Sequence, residues 1–362
     1  MSELQNAREI INKVDKEMAR LFEIRMDAAK EVAKYKKENG LPIDDFVREN
    51  EIIKRNSNYI ENEEYRSYYV NFLKKNIKLS KDLQHRLLEG MTVAYSGVEG
   101  AFANVAARRI FPDARCIPYA DFKAAYRAVE KGECDCVILP IENSFNGDVG
   151  NVLDLAFFGS LYINGVYEAE IVQNLLGVKG ARISDIKKVI SHPQALGQCA
   201  TYIDNHGFES EDAVNTAIAA KMVAEMSDKS IAAIGSAEAA QQFGLQIISE
   251  KINDSGTNTT RFAIFSRSNR TPQQGDERFI MMFTVKNAAG SLGEAISVIG
   301  KYGFNLRALK SRPTKELVWD YFFYVEGEGN INSQEGEAML EQLKDCCSNL
   351  KIAGSYEKEI HI

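Results

Sequence analysis

The stretch LQNAREIINKVDKEMARLFEIRMDAAKEVAKYK, Leu4–Lys36, places apolar residues at the three- and four-residue spacing of an amphipathic helix. Continuing the same rhythm puts the cations Arg25 and Lys36 on the apolar stripe, and Arg48 follows in the next predicted helix. A buried cation without a partner is costly, so internal carboxylates or an anionic ligand must compensate. The helix alone leaves both explanations open. The apolar stripe comprises Leu4, Ala7, Ile11, Val14, Met18, Leu21, Ala28 and Val32.

Two more helices are predicted after this one. The first helix should end at Asn39–Gly40, because glycine is the usual residue just past a helix. Asp44 or Asp45 can cap the second helix, and a third is expected from about Asn62 to Leu88. Together they predict a small all-α domain over residues 1–88.

The spacing of the cations predicts where they can act. Arg25 and Lys36 are eleven residues apart, which places them on one helix face about 16 Å apart along the axis. Long side chains from that face could bracket one small dianion. Arg8 lies seventeen residues before Arg25, about 25 Å along the axis and about 100° around it. If Arg8 is functional, it should therefore serve the pocket of a second chain, and the domain would be a helical dimer.

Residues 1–88 resemble an AroQ-type chorismate mutase domain. The resemblance implies an intertwined homodimer in which one protomer lends an arginine to the other's site. It also implies a pericyclic conversion of chorismate to prephenate, which needs no nucleophile, base or metal. Arg8 and Arg25 would hold the carboxylates, Lys36 and Gln84 the ether oxygen and Glu49 the ring hydroxyl, with Asp45, Arg48 and Ser80 completing the site.

Composition restricts the other partners. A formal net charge of -7 argues against a nucleic-acid partner. No apolar run approaches a membrane span, and no secretory signal is recognisable, so we expect a cytoplasmic protein without a membrane partner. The six cysteines lack zinc-ligand spacing, and we expect reduced thiols and no metal.

From Met91 onward short β-type runs alternate with helical patterns, which predicts an α/β domain with largely parallel sheets. Ligands of such domains bind at the carboxyl ends of strands. The predicted strands are Thr92–Tyr95, Cys136–Pro140, Lys188–Ser191, Ser230–Gly235 and Arg261–Ser266. The predicted helices are Phe102–Ile110, Phe122–Lys131, Pro193–Asn205, Thr216–Met226 and Ala237–Phe243.

Four segments of this domain carry polar groups at strand ends. Each alone has an ordinary structural explanation, such as a turn or a helix cap; for instance, the amides after Gly97 could receive a carboxylate, or simply form a turn. The segments are GVEGAF at 97–102, PIENS at 140–144, SHPQ at 191–194 followed by Gln198, and NTTRF at 258–262.

Taken in order, these segments resemble prephenate dehydratase over residues 91–267. The resemblance implies a two-lobed fold similar to periplasmic binding proteins, with the site in the cleft. It implies Thr260 as the catalytic hydroxyl, Arg261 as a carboxylate anchor, and Asn143, Ser191 and Gln198 as cleft residues, with Glu142 as a further participant. Thr260 would donate a hydrogen bond to the leaving hydroxyl, or pass on a proton from Glu142 or water. Ala101 and Ala103 stand where the family usually has hydroxyl residues.

After a polar linker, Ser268–Asp276, the pattern predicts a ferredoxin-like βαββαβ domain over 277–362. Its predicted elements are strand Phe279–Val285, helix Ser291–Tyr302, strands Leu306–Ser311 and Val318–Val325, helix Glu335–Cys347 and strand Ile352–Tyr356.

This domain resembles an ACT regulatory domain. The resemblance implies phenylalanine as an effector, and a dimerisation module without a ligand is the alternative. Lys310 replaces the glutamate of many relatives. We expect a chain cut from about Asp276 onward to keep an active dehydratase. The implied effector residues are Asn287, Ala289, Gly290, Ser291, Leu292, Ser311, Arg312 and Pro313.

The three segments together resemble the bifunctional chorismate mutase/prephenate dehydratase family, which uses no cofactor and forms dimers or tetramers. Coupling the mutase to a prephenate dehydrogenase would require a nicotinamide fold, and no G-x-G-x-x-G occurs. An amino-acid-binding sensor on a two-lobed fold is the alternative from another class. A sensor would need neither the Thr260 hydroxyl nor the mutase domain.

Overall fold

The computed structural model describes residues 3–270, 275–314 and 320–362. The chain divides into two compact units, one ending at Met91 and the other running from Thr92 to Ile362. Across the described ranges, no helix has the length and apolarity needed to cross a bilayer.

The first unit consists of three helices, α1 (Glu3–Glu38), α2 (Phe46–Ser57) and α3 (Glu63–Glu89). The side chain of Asp45 caps α2 and that of Asn62 caps α3, each by accepting a hydrogen bond from a backbone amide in the first turn. The three predicted helices are thereby confirmed, with ends within two residues of the predicted ones.

The predicted burial of the α1 stripe is not observed within one chain. Its large side chains, from Leu4 to Val32, are 44–60% exposed. Ala29 and Ala33 are the buried residues of α1, Leu73 and Ile77 are buried on α3, and the two helices are in contact. The apolar stripe is therefore a surface that a single chain leaves open to solvent.

The second unit begins with two α/β lobes. Their strands are β1 (Thr92–Ser96), β2 (Arg115–Tyr119), β3 (Cys136–Asn143), β4 (Gly147–Asp148), β5 (Tyr162–Glu170), β6 (Asn174–Gly177), β7 (Lys188–Ser191), β8 (Glu209–Asp212), β9 (Ile231–Gly235), β10 (Gln246–Ser249) and β11 (Thr259–Ser266). Their helices are α4 (Phe102–Ile110), α5 (Phe122–Lys131), α6 (Gly150–Phe158), α7 (Pro193–Gln198), α8 (Ala200–His206), α9 (Thr216–Met226) and α10 (Ala237–Phe243), with one short 3-10 turn at Ile183–Asp185.

The sheets of the two lobes are mixed, which corrects the expectation of largely parallel sheets. In the first lobe β1 runs parallel to β2 and β3, but β11 runs antiparallel to both β3 and β5. In the second lobe β7 runs parallel to β8 and β9, whereas β6 is antiparallel to β9 and β10. The antiparallel strands arise because the chain leaves the first lobe after β5 and returns to it at β11.

The chain therefore crosses between the lobes twice, through residues 171–173 and 250–258. Two crossing segments between two sheets give the two-lobed fold expected from the sequence. The predicted helix Pro193–Asn205 is two helices, because the chain departs from helical geometry at Cys199.

The rest of the second unit is a four-stranded antiparallel sheet with two helices. Its elements are β12 (Arg278–Val285), α11 (Ser291–Lys301), β13 (Asn305–Pro313), β14 (Tyr321–Glu328), α12 (Gln334–Cys346) and β15 (Cys347–Tyr356), followed by β16 (Ile360–His361), which pairs with β5. The strand order β13-β14-β12-β15 confirms the βαββαβ arrangement. The predicted start of the third strand, at Val318, and residues 271–274 of the linker lie outside the described residues.

This C-terminal sheet shares one core with the first lobe. Ile280, Met282 and Tyr324 pack with Ile141 and Phe265 in a single buried cluster. The approach is close enough that a Cβ on Gly354 of β15 would lie 1.8 Å from the carbonyl oxygen of Ile163 on β5. Glycine is therefore required where these two strands touch.

Candidate active sites

In the helical unit, Arg25 of α1 is half-buried against α3. Its Nη1 donates to the carbonyl and the side-chain oxygen of Asn76, both at 3.1 Å, and to the hydroxyl of Ser80. Burial lowers the pKa of Arg25. Among the described residues no carboxylate pairs with Arg25, so the structure favours the anionic ligand over the internal ion pair.

Three further predicted residues lie in this unit with polar atoms inward. Gln84 is buried one turn beyond Ser80, and within the described part of the chain its Oε1 has no hydrogen-bond partner. Lys36 donates to the carbonyl of Ile43 at 2.6 Å. Glu49 pairs with Lys81 at 2.8 Å, a lysine that the sequence analysis missed. Lys81 directly follows Ser80 on α3. Its pairing with Glu49 depends on the packing of α2 against α3, which the sequence does not specify.

The other predicted mutase residues differ from expectation within one chain. Asp45 is the cap of α2 and accepts a hydrogen bond from the Arg48 amide at 2.9 Å. The Arg48 side chain is exposed and pairs with Glu51 at 3.3 Å. Arg8 lies exposed near the start of α1 and is not brought to Arg25, as the axial distance along one straight helix requires.

In the second unit a cleft of about 420 Å³ lies between the two lobes. Strands of the first lobe, the crossing segment and helices of the second lobe all contribute to it. The lining includes Ser96, Ala101, Phe102, Ala103, Phe122, Pro140, Asn143, Val149, Ile171, Gln173, His192, Gln194, Ala195, Gln198, Asn215, Thr216, Thr260 and Phe262.

Thr260 and Asn143 face this cleft from paired positions on β11 and β3. Asn143 Nδ2 donates to Thr260 Oγ1 at 3.0 Å, while its Oδ1 accepts the amides of Phe145 and Asn146. Because the amide nitrogen Nδ2 of Asn143 can only donate, Thr260 Oγ1 is the acceptor in this bond. The threonine proton is therefore left for a group in the cleft.

Gln198 lines the cleft as predicted, and Gln173 Nε2 donates to its Oε1 at 3.3 Å. The sequence did not identify Gln173. In the structure its Oε1 is buried and has no hydrogen-bond partner among the described residues. The signal available was its position on a segment between two predicted sheets.

His192 caps α7 by accepting a hydrogen bond from the Gln194 amide. Ser191 is not in the lining, because its hydroxyl donates to the Ile234 carbonyl at 2.7 Å.

Arg261 and Glu142 lie on the opposite face of the sheet from the cleft, which corrects their predicted roles. Arg261 binds Glu142 at 2.9 Å and takes both carboxylate oxygens of the buried Glu326 at 2.9 and 3.0 Å. Burial alone would raise the pKa of Glu142, but hydrogen bonds and charges from Arg261 and Lys310 outweigh it and lower that pKa. An ionised carboxylate on the wrong face cannot supply the proton to Thr260.

The loop after β1, residues 97–101, does not present all of its backbone amides for an anion. The Gly100 amide already donates to Asn104 Oδ1 at 3.2 Å, and the Gly97 amide to the Tyr119 carbonyl at 2.9 Å. Ala101 and Ala103 line the cleft, so two methyl groups face it at these positions.

The predicted effector residues lie at one end of the C-terminal sheet. Gly290 has φ +87 and begins α11, with Asn287 and Ala289 exposed beside it and Ser291 and Leu292 half-buried. Ser311 and Pro313 are exposed at the end of β13, which the register across β14 places at the same end. Arg312 differs, because it forms a two-bond ion pair with Asp154 of α6 at 2.7 and 3.0 Å.

These sites define a chain with a helical unit that holds a half-buried arginine and a two-lobed unit whose cleft is lined by the Thr260 hydroxyl. Comparison with known proteins gives the class its name. Residues 7–85 match the family described as chorismate mutase type II, and residues 93–270 match the prephenate dehydratase family.

Individual relatives agree with both matches. The chain is 30% identical over 368 residues to a bifunctional chorismate mutase/prephenate dehydratase from Aquifex aeolicus, covering 99% of each chain. It is 33% identical to arogenate dehydratase 2 from Petunia hybrida, covering 77% of this chain and 75% of that protein. A prephenate dehydratase from Arthrobacter aurescens solved with L-Phe superimposes with a TM-score of 0.69 at 28% identity, over 74% of this chain and 90% of that one.

The chain belongs to the bifunctional chorismate mutase/prephenate dehydratase family. It rearranges chorismate to prephenate and converts prephenate to phenylpyruvate with loss of water and carbon dioxide. The sensor alternative is not favoured, because both catalytic domains are present.

Proposed function

We propose that Thr260 is the hydrogen-bond donor to the hydroxyl that leaves prephenate. As the carbon–carbon bond to the ring carboxylate breaks, its electrons enter the ring, and the hydroxyl leaves from the opposite ring carbon, taking up one proton from solvent so that it departs as water. A donor at that oxygen lowers the cost of its departure. The supporting observation is the Asn143–Thr260 bond, which occupies the Thr260 oxygen as an acceptor and leaves its proton for the cleft. Gln198 and Gln173 supply further amide groups to the cleft.

Replacing the hydroxyl tests this role. Thr260→Val should lower dehydratase turnover on supplied prephenate by at least about tenfold, because a general acid or donor contributes roughly that or more. Thr260→Ser is the matched control, since it keeps the hydroxyl and should retain most of the rate. Mutase activity on chorismate should be unchanged in both. Turnover of Thr260→Val within about twofold of the parent would remove Thr260 from the mechanism.

For the mutase we propose that Arg25 holds a chorismate carboxylate and that Lys36 and Gln84 stabilise charge on the ether oxygen. Glu49 would meet the ring hydroxyl, with Ser80 holding Arg25 in place. Two observations support this assignment: among the residues that the structure describes, the half-buried Arg25 has no carboxylate partner and the Gln84 side-chain oxygen accepts no hydrogen bond. Asp45 and Arg48 would act by shaping α2, since Asp45 caps that helix.

We also propose that the helical unit is a dimer with shared sites. The open apolar stripe on α1 supports this, because a second copy of the same helix would bury it. Arg8 would then reach the partner's pocket.

Hybrid sites test the sharing of Arg8. Arg8→Ala and Lys36→Ala chains should each lose most mutase activity, by about a hundredfold for the lysine as a preorganised charge donor. Mixing the two after verified subunit exchange should restore part of the activity, because one site in a hybrid dimer then carries both intact residues. Absence of recovery would contradict a shared site.

For the remaining segment we propose an ACT domain over 277–362 that binds phenylalanine, beside a mutase domain over 1–88 and a dehydratase domain over 91–267. The Arthrobacter relative was solved with L-Phe. Gly290, with its positive φ, precedes α11, and within the described residues no side chain caps that helix, so amides of its first turn are available to a carboxylate. Calorimetry with phenylalanine, paired with a dehydratase assay, tests this. If phenylalanine neither binds nor inhibits, the domain is a dimerisation module.

A further inference from the structure

An ion-pair network behind the cleft joins the dehydratase strands to the C-terminal domain. At its centre Arg261 contacts Glu142, Glu326 and Glu359, with every distance between 2.9 and 3.0 Å. The side chains of Glu326 and Glu359 are 3% and 8% exposed. Charged groups buried this deeply are held in fixed geometry by their partners, because a lost partner leaves an uncompensated charge.

Glu142 has a second cation on its other side. Lys310 of β13 lies 3.0 Å from Glu142 Oε1 and 2.6 Å from Asp148 Oδ1. The Lys310 side chain is 14% exposed, and its ammonium group lies 5.5 Å from the centre of the Tyr324 ring. Lys310 therefore spans two carboxylates of the first lobe from the C-terminal domain.

The network sits directly behind the proposed catalytic pair. On β11 Thr260 precedes Arg261, and on β3 Asn143 follows Glu142, so the two strands pair Thr260 with Asn143 and Arg261 with Glu142. Successive residues of a strand face opposite sides. The pairing register shifts immediately beyond Arg261, so a bulge interrupts the ladder next to this block. Bulges re-aim neighbouring side chains and weaken local pairing.

We infer that Glu142 and Arg261 are positioning residues of the dehydratase, and that Lys310 completes their network from the C-terminal domain. The network holds the end of β3 and the start of β11 in place. On the opposite face of the sheet, these two segments carry Asn143 and Thr260. Dehydratase turnover thus depends on a residue outside the dehydratase lobes. This inference rests on the proposed role of Thr260.

Four full-length variants test it, each assayed with prephenate for kcat and KM: Lys310→Met, Lys310→Arg, Glu142→Gln and the double variant of Lys310→Met with Glu142→Gln. Lys310→Met should lower kcat about tenfold with KM within about twofold, because misplacing a catalytic group costs rate rather than binding. Lys310→Arg should restore kcat to within about threefold of the parent, since a guanidinium can span both carboxylates. The double variant Lys310→Met/Glu142→Gln should be no slower than the poorer single variant, because both changes break one linkage.

Lys188→Met is the matched control. It removes a lysine from an exposed ion pair with Glu211 at 3.0 Å in the other lobe, and kcat should stay parental. Thermal unfolding midpoints are recorded for each variant. They distinguish a positioning role of Lys310, which changes kcat, from a purely stabilising role, which changes only the midpoint. A lowered midpoint with parental kcat in Lys310→Met would overturn the inference, as would additive losses in the double variant. If Thr260→Val keeps parental turnover, both the proposed function and this inference fail. If Lys310→Met keeps parental turnover and Thr260→Val does not, this inference alone fails.

Discussion

Adjacent residues on β11 serve different purposes because strand side chains alternate between faces. Thr260 lines the cleft, while Arg261 points into the ion-pair network behind it. The alternation was available from the sequence, since placing Thr260 in the cleft already excludes Arg261 from it. Glu142 and Asn143 on β3 repeat the same relation. The sequence could not identify the partners of Arg261, because Glu326 and Glu359 are more than sixty residues away along the chain.

Two carboxylates of this network make stability depend on pH. Burial alone would raise the pKa of Glu359, as it would that of Glu142, but hydrogen bonds and the charges of neighbouring arginines, and of Lys310 in the case of Glu142, outweigh burial and lower both pKa values. A carboxylate with a lowered folded-state pKa stabilises the fold above its unfolded value of about 4.3, and that stability is lost as pH falls further. The second unit should therefore lose stability below about pH 4.3.

Denaturation midpoints followed by near-UV circular dichroism between neutral and acid pH check this expectation. The parent midpoint should fall steeply in the acid range. Glu142→Gln should start lower at neutral pH and then fall less steeply, because one titrating partner has been removed. Parallel curves for the parent and the variant would contradict the assignment of acid sensitivity to this network.

At the scale of elements, helices were predicted better than strands. The caps of α2 and α3 and the apolar spacing of α9 are local signals, and each lies within a few residues of the helix it defines. The strand β8, Glu209–Asp212, is exposed throughout and has no alternation to recognise. Its strand geometry comes from parallel pairing with β7, which is information that only the folded chain supplies.

The contact between β15 and β5 makes a specific prediction. Gly354→Ala should destabilise the second unit by about 1–3 kcal/mol or more, because its Cβ would lie 1.8 Å from a backbone oxygen and cannot be accommodated by a side-chain movement. Gly293→Ala is the matched control in the same domain. Gly293 lies within α11 and a Cβ there meets no atom within 4 Å, so this change should be neutral or stabilising. Equal thermal midpoints for the two variants would contradict the close packing.

At the scale of the whole molecule, the C-terminal domain is less separable than its sequence pattern indicated. Ile280, Met282 and Tyr324 complete the core of the first lobe, and Glu326 neutralises Arg261. Cutting the chain at about Asp276 would expose that core and leave Arg261 with fewer counter-ions. The structure therefore argues against the expectation that such a truncation keeps an active dehydratase, and favours point substitutions as tests of regulation.

One measurement tests the central claim that a single chain carries two independent active sites. Chorismate is supplied to the Thr260→Val chain, to the Lys36→Met chain and to a mixture of both, and prephenate and phenylpyruvate are followed over time. Thr260→Val alone should accumulate prephenate, Lys36→Met alone should leave chorismate unconsumed, and the mixture should form phenylpyruvate. Phenylpyruvate formation at the parental rate by Thr260→Val alone would contradict the account.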